Sequence, residues 1–177
     1  MKANTVLIKT RHYLRDLQNA KFSDWEIYQG INDALRIFAE EAARMYDGIG
    51  AFSSVAVLTM GSGDSALLPE NYIRIKRAYG ATGKELLRVI TDTPGEGEFA
   101  IRGGSIMSGE TAITLHYFCY PGKVDQPEDV IDLPDSMLIA VAKIAAACVA
   151  GSDSVMIQVA QYFSGQPMAD VAQQGGD

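Results

Sequence analysis

The sequence predicts an α+β fold: a bundle of about four helices with an antiparallel β-sheet or small sandwich inserted between the second helix and the third. Three observations carry this. Apolar residues recur at spacings of three and four near both ends of the chain, as on one face of a helix. Between about residues 52 and 120 the period drops to two. Glycine-bearing turns break that middle region into short, closely spaced strands.

The first helix is expected over about 5–17, with Leu7, Leu14 and Leu17 on one face and Thr10 between them; the polar "QNAKF" follows as a turn. The second, about 24–47, has the clearest start signal in the chain. Ser23 followed by Glu26 forms a capping box, and Phe22 and Ile27 stand at the positions of a hydrophobic staple. Tyr28, Ile31, Leu35, Phe38, Ala42 and Met45 continue as an apolar stripe, and Gly48 is a natural stop.

In the β region "SVAVLTM" alternates, and "YIRIKRAY" sets Ile73 and Ile75 against Tyr72, Arg74 and Lys76. "ELLRVIT" and "FAIRGGSIM" are shorter. "TAITLHYFCY" sets Ile113, Leu115, Tyr117 and Cys119 against Thr114, His116, Phe118 and Tyr120. Short turns between such strands favour antiparallel pairing.

Pro134 opens a third helix, about 134–150, that is apolar nearly all round and rich in alanine, so it should be packed on several sides. Gly151 ends it. Ser152 is placed to cap a fourth helix, about 153–164, with Val155, Val159, Tyr162 and Phe163 on its apolar side. Residues 165–177 read as a loose tail.

With 177 residues, 47% of them hydrophobic and 21% charged, the chain is expected to form one domain over 1–177 that folds without metal or disulfide. Cys119 and Cys148 lack CxxC or Cys/His spacing, which predicts reduced, packed thiols and synthesis in an intracellular compartment. The opening residues are not expected to act as a signal peptide, since charges resume after three apolar residues. The longest apolar run, Met137 to Ala150, is interrupted by Lys143 and falls short of the roughly 20 residues of a bilayer span, so a soluble protein with no membrane partner is expected.

Net charge is −7, unevenly spread. The N-terminal segment is basic, through Lys9, Arg11, Arg15 and Lys21, and the second helix is acidic. No basic aromatic platform is present to grip nucleic acid. The stripe Asp33, Arg36, Glu40, Arg44 and Asp47 has the spacing of a solvated or partner-facing helix surface, with Glu41 beside it; each i,i+4 pair in such a stripe contributes only about 0.2–0.5 kcal/mol. His12 and His116 lack metal-like neighbours. The glycine-rich pieces do not fit a phosphate loop or a dinucleotide turn. Asp125, Glu128, Asp129 and Asp132 lack the spacing of a calcium loop. No catalytic, cofactor-binding or metal-ligating residues are therefore expected.

The order and spacing of several pieces carry a resemblance. These are "YLRDL", "FSDWEIYQGINDALRIFAEEA", "LLPENYIRIKRAYGATGKELLRVITD" and "AITLHYFCYPGKVDQPEDVIDLPDSMLIAVAKIAAACVAGSDSVMIQVAQYF", from about Thr5 to Phe163. Together they resemble the head-to-tail adaptor, or connector, proteins of tailed bacteriophages, short-tailed ones in particular. The segment Thr91 to Gly104 departs by being short and glycine-rich, and the C-terminal tail is short.

The resemblance implies a structural virion protein of the neck and tail, made in the host cytoplasm. Such a protein is a helical bundle with a β insertion, assembled as a homo-oligomeric ring, usually a dodecamer, on the portal protein. The ring extends the DNA channel and docks the tail nozzle or tail-fibre proteins; genomic DNA passes through without specific binding, which an acidic chain suits. On this reading Lys9, Arg11, Arg15 and Lys21 on one side, and Asp33, Glu40 and Glu41 on the other, are the candidate subunit or portal interface. Three alternatives stay open: another tail-completion or morphogenesis factor, a non-viral protein-binding module, and a small enzyme whose site arises between subunits.

Overall fold

A computed structural model of the chain describes residues 1–45, 52–61, 64–165 and 168. Among the described residues there are four helices and seven strands, with the sheets lying between the second and third helix in sequence, an α+β fold as the sequence predicts. Length alone predicts one compact domain. Contacts gather into two compact units, Met1–Glu41 with Pro121–Asp177, and Ala42–Tyr120.

In the helical unit, α1 spans Ala3–Leu14 and packs on α3, Leu138–Val149, burying Ala3, Val6, Leu7, Thr10 and also Arg11. It stops three residues short of the expected end. Arg15 turns left-handed (φ 54°), the Asp16 N–H bonds back to the Arg11 carbonyl at 3.0 Å, and Leu17 is left exposed rather than on the buried face.

Helix α2, Asp24–Arg44, buries Ile27, Tyr28, Ile31, Leu35, Phe38 and Ala42 as the stripe predicts. Met45 falls just beyond its end and is 46% exposed, so it leaves the stripe. Asp47 and the expected stop at Gly48 lie outside the described residues. Gly30 is the close approach of α2 to α3: a Cβ there would meet Val149 Cγ2 at 2.3 Å and the Ala145 carbonyl oxygen at 2.9 Å.

Pro134 precedes one 3-10 turn, Asp135–Met137, that leads into α3. Helix α3 buries Ala140, Val141, Ala142, Ile144, Ala145, Ala146 and Ala147, which leaves it covered on most sides. Its end is a Schellman motif: Gly151 has φ 64°, its N–H bonds the Cys148 carbonyl, and the Ser152 N–H reaches the Ala147 carbonyl at 2.9 Å. Helix α4, Val155–Phe163, starts after Ser154, two residues later than a cap at Ser152 would place it; Ser152 Oγ accepts the Ser154 N–H instead. Tyr162 and Phe163 set their rings 5.1 and 5.9 Å from Phe38. Val159 is buried as expected, and so is Gln158, which the apolar pattern omits. Of the expected loose tail only Gly165 and Met168 are described, and Lys143 Nζ donates to the Met168 carbonyl at 3.0 Å.

The β unit holds β1 (Ser53–Thr59), β2 (Ser65–Leu67), β3 (Tyr72–Gly80), β4 (Leu87–Arg88), β5 (Glu98–Arg102), β6 (Ser105–Ser108) and β7 (Ala112–Cys119). Two sheets form, in the orders β1-β7-β3 and β2-β6-β5-β4. Every pair is antiparallel except β4 with β5, which is parallel. Phe99 and Ile106 from one sheet, and Ala78, Ile113, Leu115 and Tyr117 from the other, share a single apolar core with Leu86, which makes the unit a small sandwich. β7 is its central strand and alternates as predicted. β5 turns into β6 through Gly103 and Gly104 (φ 56° and 82°), the two positive φ values that a tight hairpin turn requires.

β3 departs from simple alternation. Register shifts fall between Tyr72 and Arg74 and between Ile75 and Arg77, so Tyr72, Ile75 and Ala78 all reach the core at spacings of three. The expected opposition of Ile75 to Tyr72 is thereby undone, because each extra residue reverses the faces of those that follow.

Candidate functional site

The link between α1 and α2 is held by side chains that the sequence places close together. The Ser23 hydroxyl accepts the Glu26 N–H (3.3 Å), and the Glu26 carboxylate accepts both the Ser23 N–H and the Ser23 hydroxyl at 2.8 Å. Those bonds to Ser23 hold the Glu26 carboxyl below its ordinary range. The capping box therefore forms in full.

Just before it, Asp16 organises the turn. Its carboxylate accepts the backbone N–H groups of Ala20 (2.8 Å), Lys21 (3.1 Å) and Phe22 (3.0 Å), and the Arg11 guanidinium at 3.1 Å. Burial alone would raise the Asp16 pKa. The bonds from Phe22, Lys21 and Ala20, with the Arg11 charge, outweigh it and hold the carboxyl below the usual range. Arg11 also donates to the Phe22 carbonyl (3.0 Å) and pairs with Asp24 at the start of α2.

This changes the candidate interface. Arg11 is 4% exposed and is the internal tie between α1, the turn and α2, not part of a surface patch. Arg15 and Lys21 are exposed, and Lys9 is partly covered, its ammonium 5.6 Å from the Tyr13 ring centroid. On α2, Asp33 is exposed, Glu40 is half-buried and paired with Arg36 at 3.2 Å, and Glu41 is half-buried. The basic and acidic sets are thus each thinner than the sequence implies.

An apolar anchor appears beside the acids. Trp25, in the first turn of α2, is 67% exposed. It borders a shallow recess of about 220 Å³ lined by Glu26, Gln29, Gly30, Asp33, Cys148 and Val149. That volume is below the roughly 300 Å³ at which small-molecule pockets begin. Leu17, 65% exposed between Arg15 and Lys21, is a second apolar side chain on a well-tied turn. Exposed tryptophan beside charge marks a protein-facing surface more than a reaction centre. The capping box places Trp25 in the first helical turn; its exposure follows from Ile27 and Tyr28 taking the buried side of α2 and is not legible from period alone.

Of the remaining chemical groups, Cys148 lines the recess beside Trp25 and His12 lies beside Leu17. Cys148 is half-buried, its thiol pushed up to about 11 by burial and by Asp33; burial also raises Cys119 in the β unit. Both thiols are protonated at neutral pH. In the acidic loop, Asp129 accepts the N–H groups of Asp125 (2.9 Å) and Gln126 (3.1 Å), bonds that lower its pKa, and Lys2 pairs with Glu128 at 3.1 Å. His12 meets Tyr13 edge-on, and His116 meets Tyr79 in the same way in the other unit. Among the described residues no group of three or more His, Cys, Asp or Glu is placed to hold a metal ion, and no helix is long and apolar enough to cross a membrane.

No protein-family model matches the chain, and no curated protein matches it significantly in sequence.

Proposed function

We propose that the chain is a structural head-to-tail adaptor of a tailed bacteriophage, forming a ring on the portal and presenting a docking surface to the tail. The observation that supports this best is the order of elements. Two helices, a β unit and two further helices follow one another, which is the arrangement the resemblance in "FSDWE…INDA", "LPENYIRI" and "DLPDSM" implies. The exposed Trp25 beside Asp33 and Glu26 supports it as well, because an apolar side chain held on a capped helix is suited to meeting another protein.

In this role the residues act by position. The tie of Arg11 to Asp16 and Asp24 fixes the angle at which α1 meets α2, and so fixes where Arg15, Leu17, Lys21 and Trp25 are presented. The acid excess keeps passing DNA from adhering where it faces the channel.

The test is to mix the purified chain with its cognate portal under assembly conditions and image the product. One additional ring on the portal is the expected result, and Trp25→Ser should reduce its formation while leaving the circular dichroism spectrum unchanged. A portal that never acquires the chain refutes the proposal.

A further inference from the structure

We infer that the outer face of the β1-β7-β3 sheet carries a phosphate-binding recess. In an unbroken strand consecutive side chains point to opposite faces. The register shift between Ile75 and Arg77 lifts that rule, and Lys76 and Arg77, neighbours in sequence, both line one recess of about 370 Å³ with Ser53, Ser54, Val55 and His116. Bulges re-aim side chains in this way next to functional sites.

The partners across the sheet complete it. His116 on β7 pairs with Val55 on one side and with Arg77 on the other, so its imidazole lies beside the cations, edge-on to Tyr79 at 5.3 Å. Lys76 Nζ donates to Ser53 Oγ at 3.1 Å and stands 4.8 Å from the Phe118 ring centroid, which fixes the ammonium at the recess and leaves further donor capacity. Arg77 already draws an oxyanion, the Glu85 carboxylate at 3.8 Å, in a pair exposed on both sides. Exposed pairs of that kind contribute little, so a better-placed anion can displace it.

The donor set favours phosphate over carboxylate. A guanidinium supplies a planar fork and an ammonium a point charge, and a phosphate has enough oxygens to engage both together with an imidazole. The recess is open, so the same phosphate chemistry is reachable by a free anion or by a nucleic-acid backbone. The chain's net charge of −7 opposes a polyanion at a distance. Screening limits that opposition to roughly 8 Å at physiological salt, so contact at the recess itself is governed by the local cations. This inference stands independently of the adaptor reading.

The experiment uses the full chain labelled with ¹⁵N. Sodium phosphate is titrated at constant ionic strength against sodium chloride, and a short duplex DNA is titrated separately. Saturable amide shifts confined to Ser53–Val55, Ile75–Arg77 and His116 are expected with phosphate. The double variant Lys76→Gln, Arg77→Gln should weaken the apparent affinity roughly tenfold or more, because charge-assisted hydrogen bonds are lost. If duplex DNA moves the same amides, the source is a backbone phosphate; if only inorganic phosphate does, the source is a free anion. Should the double variant lose its dispersed spectrum, Arg77→Gln alone, on an exposed side chain, carries the comparison. Shifts reproduced by chloride, scattered over the surface, or unaltered by the variants overturn the inference.

Discussion

Replacing Gly30 with alanine sets two effects of known sign against each other. Glycine within a helix is about 1 kcal/mol less favourable than alanine, so at an uncovered position Gly30→Ala would stabilise α2 by that amount. Here the new methyl would sit 2.3 Å from Val149 Cγ2 and 2.9 Å from the Ala145 carbonyl oxygen. Val149 is β-branched and held to one rotamer in a helix, and the carbonyl belongs to the backbone of α3, so neither gives way without α3 shifting. Overpacking of this kind costs about 1–3 kcal/mol, and with two unyielding contacts the upper part of that range applies. The net expectation is a loss of about 1–2 kcal/mol, or roughly 2–4 °C in Tm for each kcal/mol. Urea unfolding followed at 222 nm reads the helical unit and measures it. Adding Val149→Ala removes the shorter contact but not the longer, so the double variant should recover part of the loss, with a coupling of about 1 kcal/mol. If Gly30→Ala stabilises by about 1 kcal/mol, the close approach of α2 to α3 is refuted.

Other expectations follow from the turn between α1 and α2. Arg11→Ala strands the Asp16 carboxylate inside the fold and should cost about 3 kcal/mol or more in the same unfolding assay. Ser23→Ala removes one side of the capping box and should cost about 1 kcal/mol. Asp16 and Glu26 have folded pKa values below their ordinary 3.8 and 4.5. Their contribution is complete above those ordinary values and is lost as pH falls through the lower folded ones, so the helical unit should weaken below about pH 4. Asp16→Asn should flatten that slope in acid titrations followed by circular dichroism, and an unchanged slope would show that Asp16 is not a source of it.

Much of the architecture was legible because its causes are local. The capping box at Ser23 and Glu26, the alternation of β7 and the Gly151 stop each depend on residues within a few positions of one another. Features that depend on distant partners were not. The early end of α1 follows from Asp16 gathering three N–H groups beyond it, and the exposure of Leu17 from that end. Arg11 reads as surface charge until Asp16 and Asp24 converge on it. The register shifts in β3 are set by pairing with β7, so the union of Lys76 and Arg77 on one recess is invisible to a period-two reading. Gly30 is the intermediate case. A lone glycine within a helical stripe signals a packing reason, but only α3 says which.

The placement of the β unit between α2 and α3 bears on how the chain emerges during synthesis. α1 and α2 leave the ribosome before the β unit, yet the helix that covers them, α3, follows only after β1 to β7 have been made. At roughly 5–20 residues per second, their apolar faces wait several seconds without a partner. The strands, contiguous in sequence, can collapse on one another in that interval. Nascent α1 and α2 are therefore the part of the chain most in need of protection from aggregation, and the capping box and the Arg11 tie, both complete before α3 appears, are the contacts available to hold them meanwhile.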